Sequence, residues 1–198
     1  MNLLDDSLSV DHAAAGGKLS VEMEQRFIDL ANYTKRTGCT GILFTCSAFG
    51  LAIEKAGRAV ALPTLKPNEA MFDDALKLAS KASASQPGFK LGLIATFAAS
   101  LPSMSAELQE MAQGLGQTIH LVSAFVPEAM QDLAQGNAGL HHQKIAQVAK
   151  DQLSDCDVIM LAQFSMAAAL PTVQQAVRAT VLSSPDCAVL AIQKRMQA

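Results

Sequence analysis

The chain has 198 residues, half of them hydrophobic, with a formal net charge of −3, which is enough apolar material for one domain or two small lobes and excludes a disordered segment. Its 15 basic residues are dispersed apart from Lys194 and Arg195, so no nucleic-acid footprint stands out and a small-molecule partner is expected. No run has the continuous apolar length of a membrane span, and residues 1–6 carry neither a basic n-region nor a long apolar core. The expectation is a cytoplasmic protein with no membrane partner.

In chain order, residues 2–8 read as a strand exit running into a loop, and the Ala-Ala-Ala-Gly-Gly of 13–17 as flexible connection. From Ser20 a helix is expected: Met23, Phe27, Leu30, Ala31 and Thr34 share a face, Glu22 and Glu24 suit the first turn, and Gly38 suits the stop. The apolar run from Gly41 to Phe44 then ends abruptly in Thr45, Cys46, Ser47 and Ala48, the pattern of a buried strand that delivers Cys46 to the turn at its carboxyl end. A helix over 48–59 and a short strand over 62–66 follow, and Pro67-Asn68-Glu69 opens a helix with Phe72, Ala75, Leu76 and Ala79 inward. Residues 80–88, rich in Ser, Ala and Lys and ending in Pro-Gly, read as a linker.

Beyond it come a strand over 90–96, a helix over 100–113, a strand over 118–124, a short helix from Pro127 and a longer one over 137–153. His141 and His142 read as part of a solvated face of that helix. A buried strand over 157–162 ends in Gln163-Phe164-Ser165, a last strand covers 181–183, and Ser184-Pro185 caps a final helix. Alternating strands and helices indicate βαβ units, an α/β fold with mainly parallel strands, and ligands at strand carboxyl ends.

The two halves repeat. Gly38-Cys39-Thr40-Gly41-Ile42-Leu43 matches Asp155-Cys156-Asp157-Val158-Ile159-Met160, which puts Cys46 opposite Gln163, and Lys66-Pro67-Asn68 matches Ser184-Pro185-Asp186. The pattern predicts two similar lobes related by a pseudo-dyad, with the ligand between the Cys46 and Gln163 turns. It divides the chain into a first lobe over 1–85, a second over 86–182, and a C-terminal helix over 183–198 that returns to the first. The second half carries a strand, a helix and another strand before its matching region, so the first lobe reads as incomplete at its N-terminus, with fewer strands. Uncovered strand edges favour burial against another chain, so a homodimer or larger homo-oligomer is expected.

Four scattered cysteines without a CxxC pair suggest reduced thiols, with neither a disulfide scaffold nor a metal site. Cys46 is the candidate for chemistry, because unpaired N–H groups and the dipole at a helix start stabilise a thiolate. The alternative is a small buried hydrophobe. The hydroxyls of Thr45, Ser47, Thr96 and Ser100 read either as anion donors or as helix caps, and Phe49, Phe97 and Phe164 either as pocket walls or as core.

Thr45-Cys46-Ser47-Ala48 after an apolar strand, Ile94-Ala95-Thr96 early in the second half and Asp157-Val158-Ile159-Met160-Leu161-Ala162 near the end, in that order, resemble the aspartate/glutamate/hydantoin racemase superfamily over nearly the whole chain. The resemblance implies a cofactor-independent enzyme in which two Rossmann-like lobes hold a small carboxylate and two cysteines exchange the proton on the neighbouring carbon. It implies Cys46 as first-lobe acid/base, Thr45, Ser47 and Ala48 near the carboxylate, and Thr96 and Ser100 in the second-lobe loop that also contacts it. Where the family has its second cysteine this chain has Gln163, followed by Phe164 and Ser165. Glutamine does not titrate, so it reads as a binding group in place of a base. The superfamily also includes single-cysteine decarboxylases, which usually retain the second-lobe cysteine. Three activities therefore stay open: a racemase or isomerase, a decarboxylase, and a carboxylate-binding protein without catalysis.

Overall fold

Among the described residues every strand pair is parallel, and the strands form one sheet of two and one of four. The computed structural model describes residues 1–82 and 88–197. It divides the chain into a first unit, residues 1–66 with the chain from Ile192 onward, and a second unit, Pro67–Ala191.

In the first unit, helix α1 (Ser7–Ala14) precedes α2 (Val21–Arg36), strand β1 (Ile42–Leu43), a 3-10 turn (Ser47–Phe49), α3 (Gly50–Val60) and β2 (Thr64–Leu65). The spacing read for α2 holds: Met23, Phe27 and Ala31 are its buried residues, and Ser20 Oγ accepts the Met23 N–H at 3.2 Å as the N-cap. Met23, Phe27 and Ala31 share one core with Ile42, Phe49, Ile53 and Val60.

Residues 7–14 are helical where the sequence suggests a loop. Leu8 is buried in the core beside Met23 and Phe27, a contribution on the order of 2 kcal/mol. Arg26 reaches back from α2 to Asp5 and Asp11, at 2.6 Å each. These contacts join residues far apart in the sequence, and local composition does not reveal them. Gly16 and Gly17, at φ +65° and +80°, end the segment. The strand before Cys46 is also shorter than its apolar run. Ile42 N–H donates to Pro63 O at 2.8 Å and Phe44 N–H to Leu65 O at 3.1 Å, and Thr45 and Cys46 are exposed beyond them.

The second unit contains α4 (Glu69–Ala82), β3 (Lys90–Ala95), a 3-10 turn (Ala98–Ser100), α5 (Leu101–Gly114), β4 (His120–Phe125), α6 (Ala129–Ala134), α7 (Ala138–Gln152), β5 (Val158–Leu161), a 3-10 turn (Phe164–Ala169), α8 (Leu170–Ala176), β6 (Thr180–Ser183) and α9 (Ser184–Gln197), whose last turns belong to the first unit. The sheet order is β4-β3-β5-β6. The strands at its centre are apolar on both faces, as a sheet covered by helices requires. One core gathers Ile94, Ala124, Ile145, Ala149, Ile159 and Leu161, and another Phe72, Leu76, Leu93, Met104, Leu108 and Met160.

The unit boundary falls at 66/67, whereas the sequence places it near 85. Helix α4 buries Met71, Phe72 and Leu76 in the same core as Leu91 and Leu93, so packing assigns it to the second sheet. A buried polar cluster fixes its start: Ser184 Oγ lies 2.6 Å from Pro67 O and 2.6 Å from Asn68 Oδ1, and Asn68 Nδ2 is 3.0 Å from Met104 Sδ. Of the expected linker, residues 80–82 are the last turn of α4, and 83–87 lie outside the described residues. The chain from Ile192 onward groups with the first unit, where a Cβ on Gly41 would lie 3.0 Å from Met196 Sδ and 3.3 Å from Ile192 Cγ1. Glycine eases that approach of α9 to the start of β1, where a Cβ would crowd both side chains.

His141 is fully buried, contrary to the solvated face expected, and neither ring nitrogen has a hydrogen-bond partner among the described residues. Desolvation first and the neighbouring His142 second lower its pKa below the ordinary 6.5, against an opposing pull from Asp132. The unfolded chain then binds more protons than the folded one just below pH 6.5, so stability falls as pH drops through that value. Urea titrations at pH 8 and pH 5.5 should show a loss of stability on acidification that is smaller in His141→Leu than in the parent; an equal loss in both would refute this account.

Candidate active site

Cys46 lies two residues beyond the last ladder bond of the first sheet, Phe44 N–H to Leu65 O. Its backbone is extended (φ −114°, ψ 123°), and the next three residues turn into the 3-10 segment that runs on into α3. The thiol makes no capping hydrogen bond and the residue is exposed, as is Thr45, with Ser47 and Ala48 half-buried beside it. The first N–H groups of such a turn have no partner within it. One short stretch therefore carries a thiol, two hydroxyls and backbone donors.

A cavity of ≈ 250 Å3 adjoins Thr45 and Cys46, lined among others by Phe27, Leu30, Ala31, Phe44 and Phe49 and by Met1, Leu3, Leu4 and Leu8. Phe27 stacks at a tilt on Phe44 and Phe49, with centroids 5.6 and 5.0 Å apart. Phe49 is thus a core residue that also forms a cavity wall. Asp5 also lines the cavity; its Arg26 hydrogen bond, with help from Ser7, holds the carboxyl below the usual carboxylate range. Asp5, Phe27 and Phe44 line this cavity, a grouping that the sequence reading misses.

The Gln163 turn of the second unit has the same backbone form, extended at Gln163 (φ −128°, ψ 141°) and followed by a 3-10 turn. Its chemistry differs. Gln163 Oε1 accepts the Thr96 N–H at 2.6 Å and the Thr96 hydroxyl at 2.8 Å, so the amide ties the end of β3 to the end of β5. Thr96 and Ser100 are buried, and Ser100 Oγ donates to Phe97 O at 2.8 Å as a local cap. Phe97 and Ser165 are exposed and Phe164 is half-buried. The structure therefore brings together Thr45, Cys46, Ser47 and Ala48 in one unit, and Thr96, Ser100, Gln163, Phe164 and Ser165 in the other.

The remaining thiols sit in other surroundings. Burial, with Asp155 second, pushes Cys156 up to about 11. Burial, with Asp74 second, pushes Cys187 up to about 12. Cys39 is half-buried, 3.6 Å from Thr37 Oγ1. Among the described residues no three His, Cys, Asp or Glu side chains converge as a metal cage would, and no helix is long and apolar enough to cross a membrane.

No curated protein matches the sequence. Among solved structures, arylmalonate decarboxylase aligns with a TM-score of 0.65 at 13% identity, over 90% of this chain and 78% of its own. A glutamate racemase from Bacillus anthracis aligns at 0.63 and 16% identity, over 91% and 67%. An aspartate racemase homologue from Pyrococcus horikoshii OT3 aligns at 0.64 and 16%, over 89% and 75%. At these identities the likeness establishes the fold. The family model for Asp/Glu/Hydantoin racemase matches residues 5–192, and the chain belongs to that family.

Proposed function

We propose that the protein moves a proton at the carbon next to the carboxylate of a small acid or amino acid, with Cys46 as the acid/base and no cofactor in the step. Family membership supports racemase or related lyase activity in general, and the observation that carries the finer reading is the exposed, unbonded Cys46 at the mouth of a strand-to-helix turn. As base, the Cys46 thiolate takes the proton from the carbon and the C–H electron pair moves into an enediolate. The hydroxyls of Thr45 and Ser47 and the backbone N–H groups after Cys46 are the donors for the developing oxyanion, usually the largest catalytic contribution. As acid, the same thiol returns the proton.

Gln163 favours a lyase as the second reading. Racemisation by two bases needs a titrating group on each face of the carbon, and an amide whose oxygen already accepts from Thr96 cannot serve. In decarboxylation one acid suffices: the bond to the departing carboxylate breaks, carbon dioxide leaves, and Cys46 protonates the carbanion. A carboxylate-binding role without catalysis remains the reading if no proton moves. Cytoplasmic self-association into a homodimer or larger assembly belongs to the same proposal, supported by the first sheet's having only two strands among the described residues, whose edges a second copy would cover.

A panel of small carboxylic and dicarboxylic acids incubated in deuterated water distinguishes these readings. Deuterium incorporation without loss of carbon dioxide marks an isomerase, incorporation with carbon dioxide release marks a lyase, and neither marks a binding protein. Cys46→Ser should fold normally and lower the turnover by roughly 10²–10⁴-fold, the usual share of a general acid/base. Alkylation followed by mass spectrometry should label Cys46 first, Cys39 next, and Cys156 and Cys187 only on unfolding, because access and thiolate fraction set the rate. A Cys46 that labels no faster than Cys187 would end the enzymatic proposal.

A further inference from the structure

A short strap joins β4 to α7 at the carboxyl end of the second sheet, running through Val126 and Pro127, the six residues of α6, and Gly136 and Asn137. Both ends of α6 meet left-handed backbone: Glu128 stands at φ +61° and Gly136 at φ +82°. Glycine adopts that conformation freely, but a residue with a Cβ keeps it only where its surroundings impose it. The strap is also the lighter partner in its packing. Helix α6 packs mainly on α7, whereas α7 also packs on β4, on α8 and on the 3-10 turn that follows Gln163.

Ionic contacts hold the strap down. Lys144 Nζ on α7 lies 3.0 Å from Glu128 Oε2 and 2.7 Å from Asp132 Oδ2. One turn before Lys144, on the same face of α7, His141 is fully buried with neither ring nitrogen hydrogen-bonded among the described residues, and its ring meets that of His142 edge-on, centroids 5.3 Å apart. On the elements packed against α7 the other titratable groups are Asp132 and Glu128 of the strap and His120 at the amino end of β4; the 3-10 turn over 164–169 and α8 carry none. On α7 itself they are His142, Lys144 and, near its far end, Lys150 and Asp151. Asp132 favours a charged His141, but its carboxylate is already engaged by Lys144.

We propose that residues 127–137 form an acid-opened strap: when His141 takes a proton from solvent, α6 swings off α7 about Glu128 and Gly136 while the rest of the second unit stays folded. A charged ring has two N–H donors and no acceptor in the closed core. Opening gives both donors water and releases Glu128 from its left-handed backbone. At neutral pH the ring is uncharged, and burial of Val126 and Ala129 in one core with Ile145 keeps the strap shut. The open state takes up the proton at about the ordinary 6.5 and the closed state less readily, so the open fraction grows as pH falls below that value. Ligands of a parallel sheet bind at its strand carboxyl ends, so acid loosens the end of the second sheet that carries the Gln163 turn. The strap works whether or not Cys46 moves a proton.

The test is amide hydrogen exchange of the full chain, followed by NMR at pH 7.5 and pH 5.5 with and without low urea, and expressed as protection factors. The reporters are the N–H groups of Asp132, Gln135 and Asn137, bonded to Glu128 O, Gln131 O and Asp132 O, against those of Ala162 and Thr180 in the sheet. Protection at the three strap amides should fall about tenfold between the two pH values, the limit for one proton taken up at an ordinary value of 6.5. It should depend little on urea, the mark of a local opening, while Ala162 and Thr180 stay better protected and keep the steep urea dependence of global unfolding. In His141→Leu the strap should be equally protected at both pH values, and in His142→Gln the fall should remain. Strap amides that share the urea dependence of Ala162, or that keep full protection at pH 5.5, overturn the proposal. So does a fall that survives in His141→Leu or vanishes in His142→Gln.

Discussion

The pairing of β1 with β2 is the contact on which the Cys46 turn depends. Two backbone bonds, Ile42 N–H to Pro63 O and Phe44 N–H to Leu65 O, hold the strand end in place. The ladder has nothing further to offer beyond Phe44, so the chain turns there, and the thiol emerges at the point where sheet becomes helix. A parallel strand must hand over to a helix on one side of the sheet, so the position of Cys46 is a consequence of topology before it is one of chemistry.

The Gln163 turn shows that the same backbone can be used in another way. Both turns are extended at the key residue and both continue through a 3-10 segment, yet one side chain is bonded twice and the other not at all. Each net hydrogen bond to Gln163 Oε1 is worth about 1 kcal/mol, which is stability gained by the second unit at the cost of a titrating group. The first unit makes the opposite choice, leaving its side chain exposed.

Much of this was legible in the sequence because it is periodic or local. The Met23, Phe27, Ala31 spacing, the Ser20 cap and the apolar runs at 90–95 and 158–161 follow from the 3.6-residue and two-residue periods and from capping chemistry. What escaped was long-range. Helix α1 is held by Arg26 and by burial of Leu8, and α4 joins the second sheet through Phe72, Asn68 and Ser184, partners that are up to 117 positions away. His141 is polar in composition and core in position, a conflict that no window average resolves. At the site, Cys46 and its neighbours could be read from their place at a strand end, but Asp5 and Phe44 could not, since nothing local announces that residues 1–8 fold against β1.

The chain from Ile192 onward belongs to the first unit, with Met196 against Gly41. Synthesis on a ribosome is vectorial, and domains ordinarily fold as they emerge. Here all 125 residues of Pro67–Ala191 must be made before the last helical turns are available to cover β1. The second unit, continuous in sequence, has all of its own parts by then. The unit that carries Cys46 is therefore the last to acquire its full set of contacts, and during translation Gly41, just before β1, waits for the final stretch of α9.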